Sequence, residues 1–367
     1  MIYFDSAATT LRKPPQVASA SAYAIDHFAS PGRGGHEPAF QAAEAVYHCR
    51  ALAAELFEAK AEQVVFTMNA THALNLAIRS LVKPGDQVVI SGFEHNAVRR
   101  PLYLIGADVQ IAGRRLFDPE DTFSAFSEAI TPKTKAVICT HVSNVFGYIL
   151  PIEKIAALCK ERNVPFIIDA SQSAGILPVS LKKTGATFIA MPGHKSLYGP
   201  QGTGILLCAR VPEPLLAGGT GSNSKDTAMP DDLPDAAEAG THNVAGIHGL
   251  AAGIRFVLDH GTDAIRAKED LLRRTLAHEL MQLSDLRLFS CDSCQTGVLS
   301  FLRENEDSEL TARHLSEQGI CVRAGLHCAP LAHESAGTID TGTVRVSFGW
   351  FNTLRETEEL IRALKKF

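Results

Sequence analysis

No run in the 367-residue chain is apolar for long enough to span a bilayer, and its opening, MIYFDSAATT, lacks a basic stretch followed by an apolar one. Basic runs are missing too. The 35 Lys and Arg are scattered among 40 Asp and Glu, for a formal net charge of -5, which leaves no electrostatic footprint for nucleic acid or an anionic membrane surface. Cysteine is sparse: eight residues spread over this length do not make a disulfide scaffold and suit a reducing compartment. No Gly-rich segment passes as a nucleotide loop. GGTGSN does not follow a strand as G-x-G-x-x-G, and in GHKS, His194 separates Gly193 from Lys195 while Phe188 stands where a P-loop needs its first glycine. Neither an internal repeat nor a low-complexity tail is visible. These absences lead to an expectation of a soluble, cytoplasmic protein whose partner is a small molecule, with no nucleic acid and no membrane involved.

What is present is a chain with 46% hydrophobic residues, enough to bury a substantial core. Between about residues 60 and 210, β-rich runs (QVVFT, QVVIS, DVQIA, KAVICT, PFIID, TFIAM, GILLC) alternate with amphipathic stretches such as THALNLAIRSL and PIEKIAALCKERN. The alternation predicts an α/β domain built on a mostly parallel sheet flanked by helices. Residues 211–243 lack periodicity and read as a long ordered loop. A helical segment over roughly 246–283 follows, and then LRLFS, GVLSFL, GICVRA and TVRVSF alternate with two further helices in a smaller α+β C-terminal domain. The expected division is a large domain over 15–250 and a small one from 1–14 and 251–367.

In parallel sheets ligands collect at the carboxyl ends of strands, and five polar residues fall at such ends. Asp169 closes PFIID, where a charge needs a cationic partner if buried; it is either a turn cap or the counter-ion of a protonated heterocycle, with Gln172 close behind. Lys195 follows TFIAM in a glycine-flanked turn beside His194. It is either a surface lysine or an amine poised to form a Schiff base. Thr71 opens a helix after QVVFT, as a plain N-cap or as part of a phosphate site. His95 and Asn144 follow two more strands. Cys328, in VRAGLHCAPLAHES, reads as nucleophile, metal ligand with His327 and His333, or packing; no further zinc-like spacing supports the metal. Cys291 and Cys294 form CDSC, which reads either as a redox pair or as edge-strand cysteines; its place between two predicted strands, not before a helix, favours the latter.

The stretches YFDSAATT, EHNAV, SNVFG, IDASQSAG, GHKSLYGPQGTGIL, EAGTHNVAGI, RAGLHCAPL and VRVSFGWFNT together resemble the class V aminotransferase and cysteine desulfurase family of fold-type I pyridoxal phosphate enzymes. They span nearly the whole chain in the family's order. The resemblance implies that Lys195 carries pyridoxal 5'-phosphate as a Schiff base, that Asp169 pairs with the ring nitrogen, and that His95 stacks on the ring and moves protons. Asn144 and Gln172 would lie near the ring's phenolic oxygen. Ala70, Thr71 and His194 would border the phosphate, and Thr241 would reach the phosphate of a neighbouring subunit, which makes the active unit a homodimer. Arg345 would clamp the substrate carboxylate, with Asn144 and His36 further residues of the substrate pocket. Pro192 departs from the family's usual Ser or Thr and offers the phosphate neither hydroxyl nor N–H.

Cys328 falls where the desulfurases carry their nucleophile. The resemblance therefore implies removal of sulfur from L-cysteine, giving L-alanine and a persulfide on Cys328, with His327 or Arg323 favouring the thiolate. The short loop around Cys328 is similar to the Suf-like group II branch, implying a separate sulfur-acceptor protein. The alternative within the fold is a selenocysteine lyase acting on L-selenocysteine, or another cysteine lyase. An aminotransferase would have no need of Cys328, and an idle scaffold would bind no cofactor.

Overall fold

The computed structural model describes residues 1–32, 34–222 and 224–366. Its centre is a seven-stranded sheet formed by all seven β-rich runs, in the spatial order Val64–Thr67, Gly204–Cys208, Phe188–Pro192, Phe166–Asp169, Thr134–Thr140, Gln87–Ser91, Asp108–Ala112. All neighbours pair in parallel except Gly204–Cys208, which runs against both strands beside it. The inner strands are largely apolar because both faces are covered, while the edge strand Asp108–Ala112 is partly exposed. Val137 and Cys139 point into a core with helices Glu37–Leu56 and Ile152–Glu161. Ala136 and Ile138, one residue out of phase, join the opposite core with Ala70–Leu81 and Asn96–Ile105, as the two-residue period of a strand requires.

A three-stranded antiparallel sheet, Leu286–Phe289, Val298–Arg303 and Val344–Ser347, packs on Thr262–Leu280 and Leu354–Leu364. Two expectations change here. The segment predicted as one helix over 246–283 is two, Val244–His260 and Thr262–Leu280, broken at Gly261, whose φ of 80° is left-handed. GICVRA does not extend the three-stranded sheet: Ile320–Cys321 pairs in parallel with Ile2–Tyr3, and a single bridge joins Arg323 to Arg345. The division into residues 15–250 and 1–14 with 251–367 remains our proposal, and Val244–His260 crosses that boundary. Among the described residues of 211–243 there is one short 3-10 turn, Asp235–Ala237, and no strand. No helix among the described residues is long and apolar enough to cross a membrane.

Helix Val244–His260 comes unusually near the turn that follows Lys195. A Cβ at Gly253 would lie 2.2 Å from the Leu197 carbonyl oxygen and 2.9 Å from the Tyr198 carbonyl carbon. Both contacts are backbone and cannot rotate away. Gly253→Ala is therefore expected to lower stability in urea titration by about 1–3 kcal/mol, the usual result of overpacking; an unchanged midpoint would contradict this reading of the contact.

Candidate active site

The carboxyl ends of the central strands, the N-terminal segment and residues 323–345 enclose a cavity of about 220 Å³. Ala70, Thr71, His95, Asn144, Asp169, Gln172, His194, Lys195 and Arg345 all border it, together with Pro192, Arg323 and His327. Sequence-distant residues thus converge on one volume. Asp169 is 2% exposed, takes a 2.9 Å hydrogen bond from the Ser171 N–H, and forms no ion pair among the described residues. Lys195, from the turn after the adjacent strand, has its amine lowered to about 8: burial is the main cause, partly countered by the Asp169 carboxylate. Burial, and then the Lys195 cation, also lowers His95, so its ring is neutral near pH 7. Its Nδ1 accepts from the Ala97 N–H at 3.0 Å and caps Asn96–Ile105, which fixes the ring at the strand end.

Thr71 proves not to be a cap. Asn69 is the N-cap of Ala70–Leu81, its Oδ1 accepting from the His72 N–H at 2.9 Å, and this leaves Ala70 and Thr71 in the first turn with their N–H groups uncommitted. Asn144 donates to the His327 carbonyl at 2.7 Å and Gln172 to the Ala7 carbonyl at 2.9 Å, so each has its amide partly engaged. His194 Nδ1 lies 3.0 Å from Thr9 Oγ1.

Arg345 is 1% exposed. It donates to Asp5 Oδ1 at 2.5 Å and to the Asn144 carbonyl at 2.9 Å, while its Nε–H is buried without a partner. Asp5 was not singled out from the sequence, although a carboxylate in YFDSAATT is the partner a buried arginine demands. Glu94 was also missed. It is fully buried, accepts from Ser91 Oγ and the Thr140 N–H, and is raised to about 8 mainly by burial. Below that pH it is largely neutral.

His327 and Cys328 are consecutive left-handed residues, with φ of 49° and 58°. Side chains rarely adopt this conformation. Their carbonyls are held, His327 by Asn144 and Cys328 by the Asn96 N–H at 2.8 Å. Cys328 is exposed, and its sulfur lies 4.0 Å from a guanidinium nitrogen of Arg323. His327 does not reach it: the ring is buried, with Nε2 3.1 Å from the Thr343 carbonyl and deep burial keeping it neutral.

Three predicted residues do not border this cavity: Cys328, on the exposed turn just described, His36 and Thr241. His36 is exposed before Glu37–Leu56 and does not border the cavity. Thr241 is exposed and lines a second cavity of about 200 Å³ with Met68 and His72, beyond the turn that opens Ala70–Leu81. Its loop is strapped down by Glu238, which is buried between Arg50 and His242 and also accepts from the Phe66 N–H.

The class-V aminotransferase family model matches residues 2–360. The chain belongs to this family. A probable cysteine desulfurase of Xylella fastidiosa is 34% identical over all of this chain and 90% of its own length. One from Methanothermobacter thermautotrophicus is 32% identical over all of this chain and 94% of its own. An apo cysteine desulfurase of Thermococcus onnurineus superposes with a TM-score of 0.91 at 31% identity, covering all of this chain and 94% of that one. CsdA of Escherichia coli, a cysteine desulfurase solved in an S-sulfonic acid form, gives 0.88 at 26% identity over 99% and 94%. The fold is that of this family's members, an α/β architecture with a mostly parallel central sheet.

The residues present fit pyridoxal phosphate, the group this family uses. An unpaired buried carboxylate stands ready for a ring N–H, and a lysine with a lowered amine stands beside it. The free N–H groups of Ala70 and Thr71, the Thr71 hydroxyl and His194 offer donors to a phosphate where Pro192 offers none.

Because burial lowers the Lys195 amine to about 8, its neutral form predominates above that pH, whereas a surface lysine stays charged to about 10.4. Reductive alkylation of the cofactor-free protein with a small aldehyde should label Lys195 faster as pH rises and level off above about 8. Labelling that climbs steadily to pH 10 would contradict the depressed amine.

Proposed function

We propose that the protein is a cysteine desulfurase that removes sulfur from L-cysteine, releases L-alanine and leaves a persulfide on Cys328. One observation carries the reading: an exposed cysteine, held in a rare backbone conformation, sits against Arg323, and Arg323 borders the same cavity as Lys195 and Asp169. The full-length relatives named for this activity support it.

Pyridoxal phosphate, when bound, supplies an electron sink for charge that develops at the substrate α-carbon. Lys195 would anchor it and, with its amine neutral, move the α-proton, and Asp169 would pair with its ring nitrogen. Neutral His95 would offer Nε2 for proton transfer. Ala70, Thr71 and His194 would hold the phosphate, with Asn144 and Gln172 as polar partners for the ring oxygen. Arg345 receives the substrate carboxylate through its unpartnered Nε edge, with Asp5 and the Asn144 carbonyl fixing the plane of the guanidinium. Arg323 stands beside Cys328, a guanidinium nitrogen 4.0 Å from the sulfur. The Cys328 thiolate attacks the substrate sulfur, the carbon–sulfur bond breaks, and the sulfur remains on Cys328.

Residues 322–329 form a short turn pinned at His327 and Cys328, so the persulfide does not swing far. An acceptor protein must bring its thiol to the exposed sulfur. A homodimer is part of the same reading: exposed Met68 and Leu216 flank Thr241 in the second cavity, an apolar rim suited to a second copy whose phosphate Thr241 completes. The free state of the eight cysteines agrees with the cytoplasm.

With L-cysteine and a reductant, the pyridoxal-phosphate-loaded protein should give alanine and sulfide in equal amounts, and Cys328→Ala should lose both. Pyruvate formation, or activity untouched by the substitution, would overturn the assignment. Asp5→Asn removes the charge that orients Arg345 and should raise KM for L-cysteine about tenfold, ~1.4 kcal/mol of binding, while kcat changes less than about threefold. A fall in kcat with KM unchanged would place Asp5 outside carboxylate recognition.

A further inference from the structure

The CDSC sequence lies outside the cavity described above, in the loop joining Leu286–Phe289 to Val298–Arg303. There Cys291 and Cys294 face each other with their sulfurs 3.3 Å apart. A disulfide bond is about 2.05 Å long, so closure needs about an ångström of movement inside one tight turn. The two thiols differ in environment. Cys291 is partly open to solvent, whereas Cys294 is 8% exposed and donates to the Phe117 carbonyl at 3.6 Å. No group of three or more His, Cys, Asp or Glu able to hold a metal exists among the described residues, so the pair lacks the further ligands of a zinc site.

From this geometry we infer that Cys291 and Cys294 form a dithiol–disulfide redox site that reacts with low-molecular-weight disulfides such as oxidised glutathione. Cys291, the accessible thiol, is the attacking group. Its thiolate displaces one thiolate from the small disulfide and forms a mixed disulfide. Cys294, on losing its proton, attacks the Cys291 sulfur and expels the second thiolate. The protein gives up two electrons and two protons, and the small disulfide becomes two thiols.

The acid–base asymmetry agrees with this order. Partial burial opposes ionisation of Cys291, but the N–H groups of Cys294 and Ser293 outweigh it and bring the thiol below its ordinary range. Burial and the neighbouring Cys291 push Cys294 up to about 12.

The pair is also wired to the active-site turn. The Cys291 N–H donates to Gln295 Oε1 at 2.8 Å, and Gln295 Nε2 donates to the Phe146 carbonyl at 2.9 Å. The Ile149 N–H donates to the Cys294 carbonyl at 2.8 Å. Residues 146–149 continue directly from Asn144, which holds His327 and Arg345 through the bonds described above.

The test uses the full-length protein loaded with pyridoxal phosphate. It is equilibrated in graded mixtures of reduced and oxidised glutathione, quenched in acid, alkylated and mapped by mass spectrometry. The expected result is a peptide carrying both cysteines that loses two hydrogens, takes no alkyl group and carries no glutathione, fully reversed by excess reduced glutathione. Cys294→Ser should instead trap glutathione on Cys291, and Cys291→Ser should leave Cys294 unmodified. A native chain that stays alkylated at both positions in the most oxidising mixture, or keeps glutathione on Cys291 without closing the bond, would overturn the inference. The readout on the native chain needs no variant to fold and does not depend on the desulfurase reading.

Discussion

The buried guanidinium of Arg345 is the constraint on which the site's assembly rests. A charge at 1% exposure is costly unless its donors are satisfied, and the chain satisfies them from segments far apart in sequence. Asp5 comes from the N-terminal segment, and the Asn144 carbonyl from the turn after Thr134–Thr140. Arg345 itself belongs to Val344–Ser347, whose backbone bridges to Arg323. These contacts tie the three segments together around one guanidinium. The unpartnered Nε–H is the donor left over for a ligand.

The same economy governs the negative side. Two carboxyl groups are buried at this edge of the sheet, Glu94 in the turn after Gln87–Ser91 and Asp169 at the end of Phe166–Asp169, with Thr134–Thr140 between the two strands; burial, with Asp169 nearby, raises Glu94. Glu94, surrounded by strand ends and bonded to Ser91 and Thr140, carries the proton. Asp169 faces the cavity with Lys195, from the turn after the next strand. Placing acid and amine on adjacent parallel strands sets their separation by the sheet itself. The site is therefore as rigid as the sheet. The left-handed His327–Cys328 turn is attached to that rigid frame through Asn144 and Asn96, which fixes the reactive sulfur without burying it.

Much of this was legible in the sequence because it is local. The seven strands are short apolar runs bounded by turn residues, and the cavity residues stand immediately after them, so periodicity alone placed Asp169, Lys195, His95 and Asn144 at one edge. What escaped was non-local or geometric. Asp5 and Glu94 matter through partners 340 and 46 residues away, and no periodicity reports such pairs. Asn69 took the cap expected of Thr71 because its side chain reaches the His72 N–H, a matter of one residue's register. Gly261 broke a continuous apolar pattern by its backbone angle. His36 and Thr241 had been assigned by resemblance only, and the chain by itself does not bring either to the cavity.

The central claim is that Cys328 receives the sulfur. The most direct measurement is mass spectrometry of the protein after brief exposure to L-cysteine without reductant, with rapid alkylation and peptide mapping. The account predicts one added sulfur atom on the peptide that carries Cys328 and none on the peptide that carries Cys291 and Cys294. Alanine formed while Cys328 remains a plain thiol, or sulfur found on another cysteine instead, would contradict it.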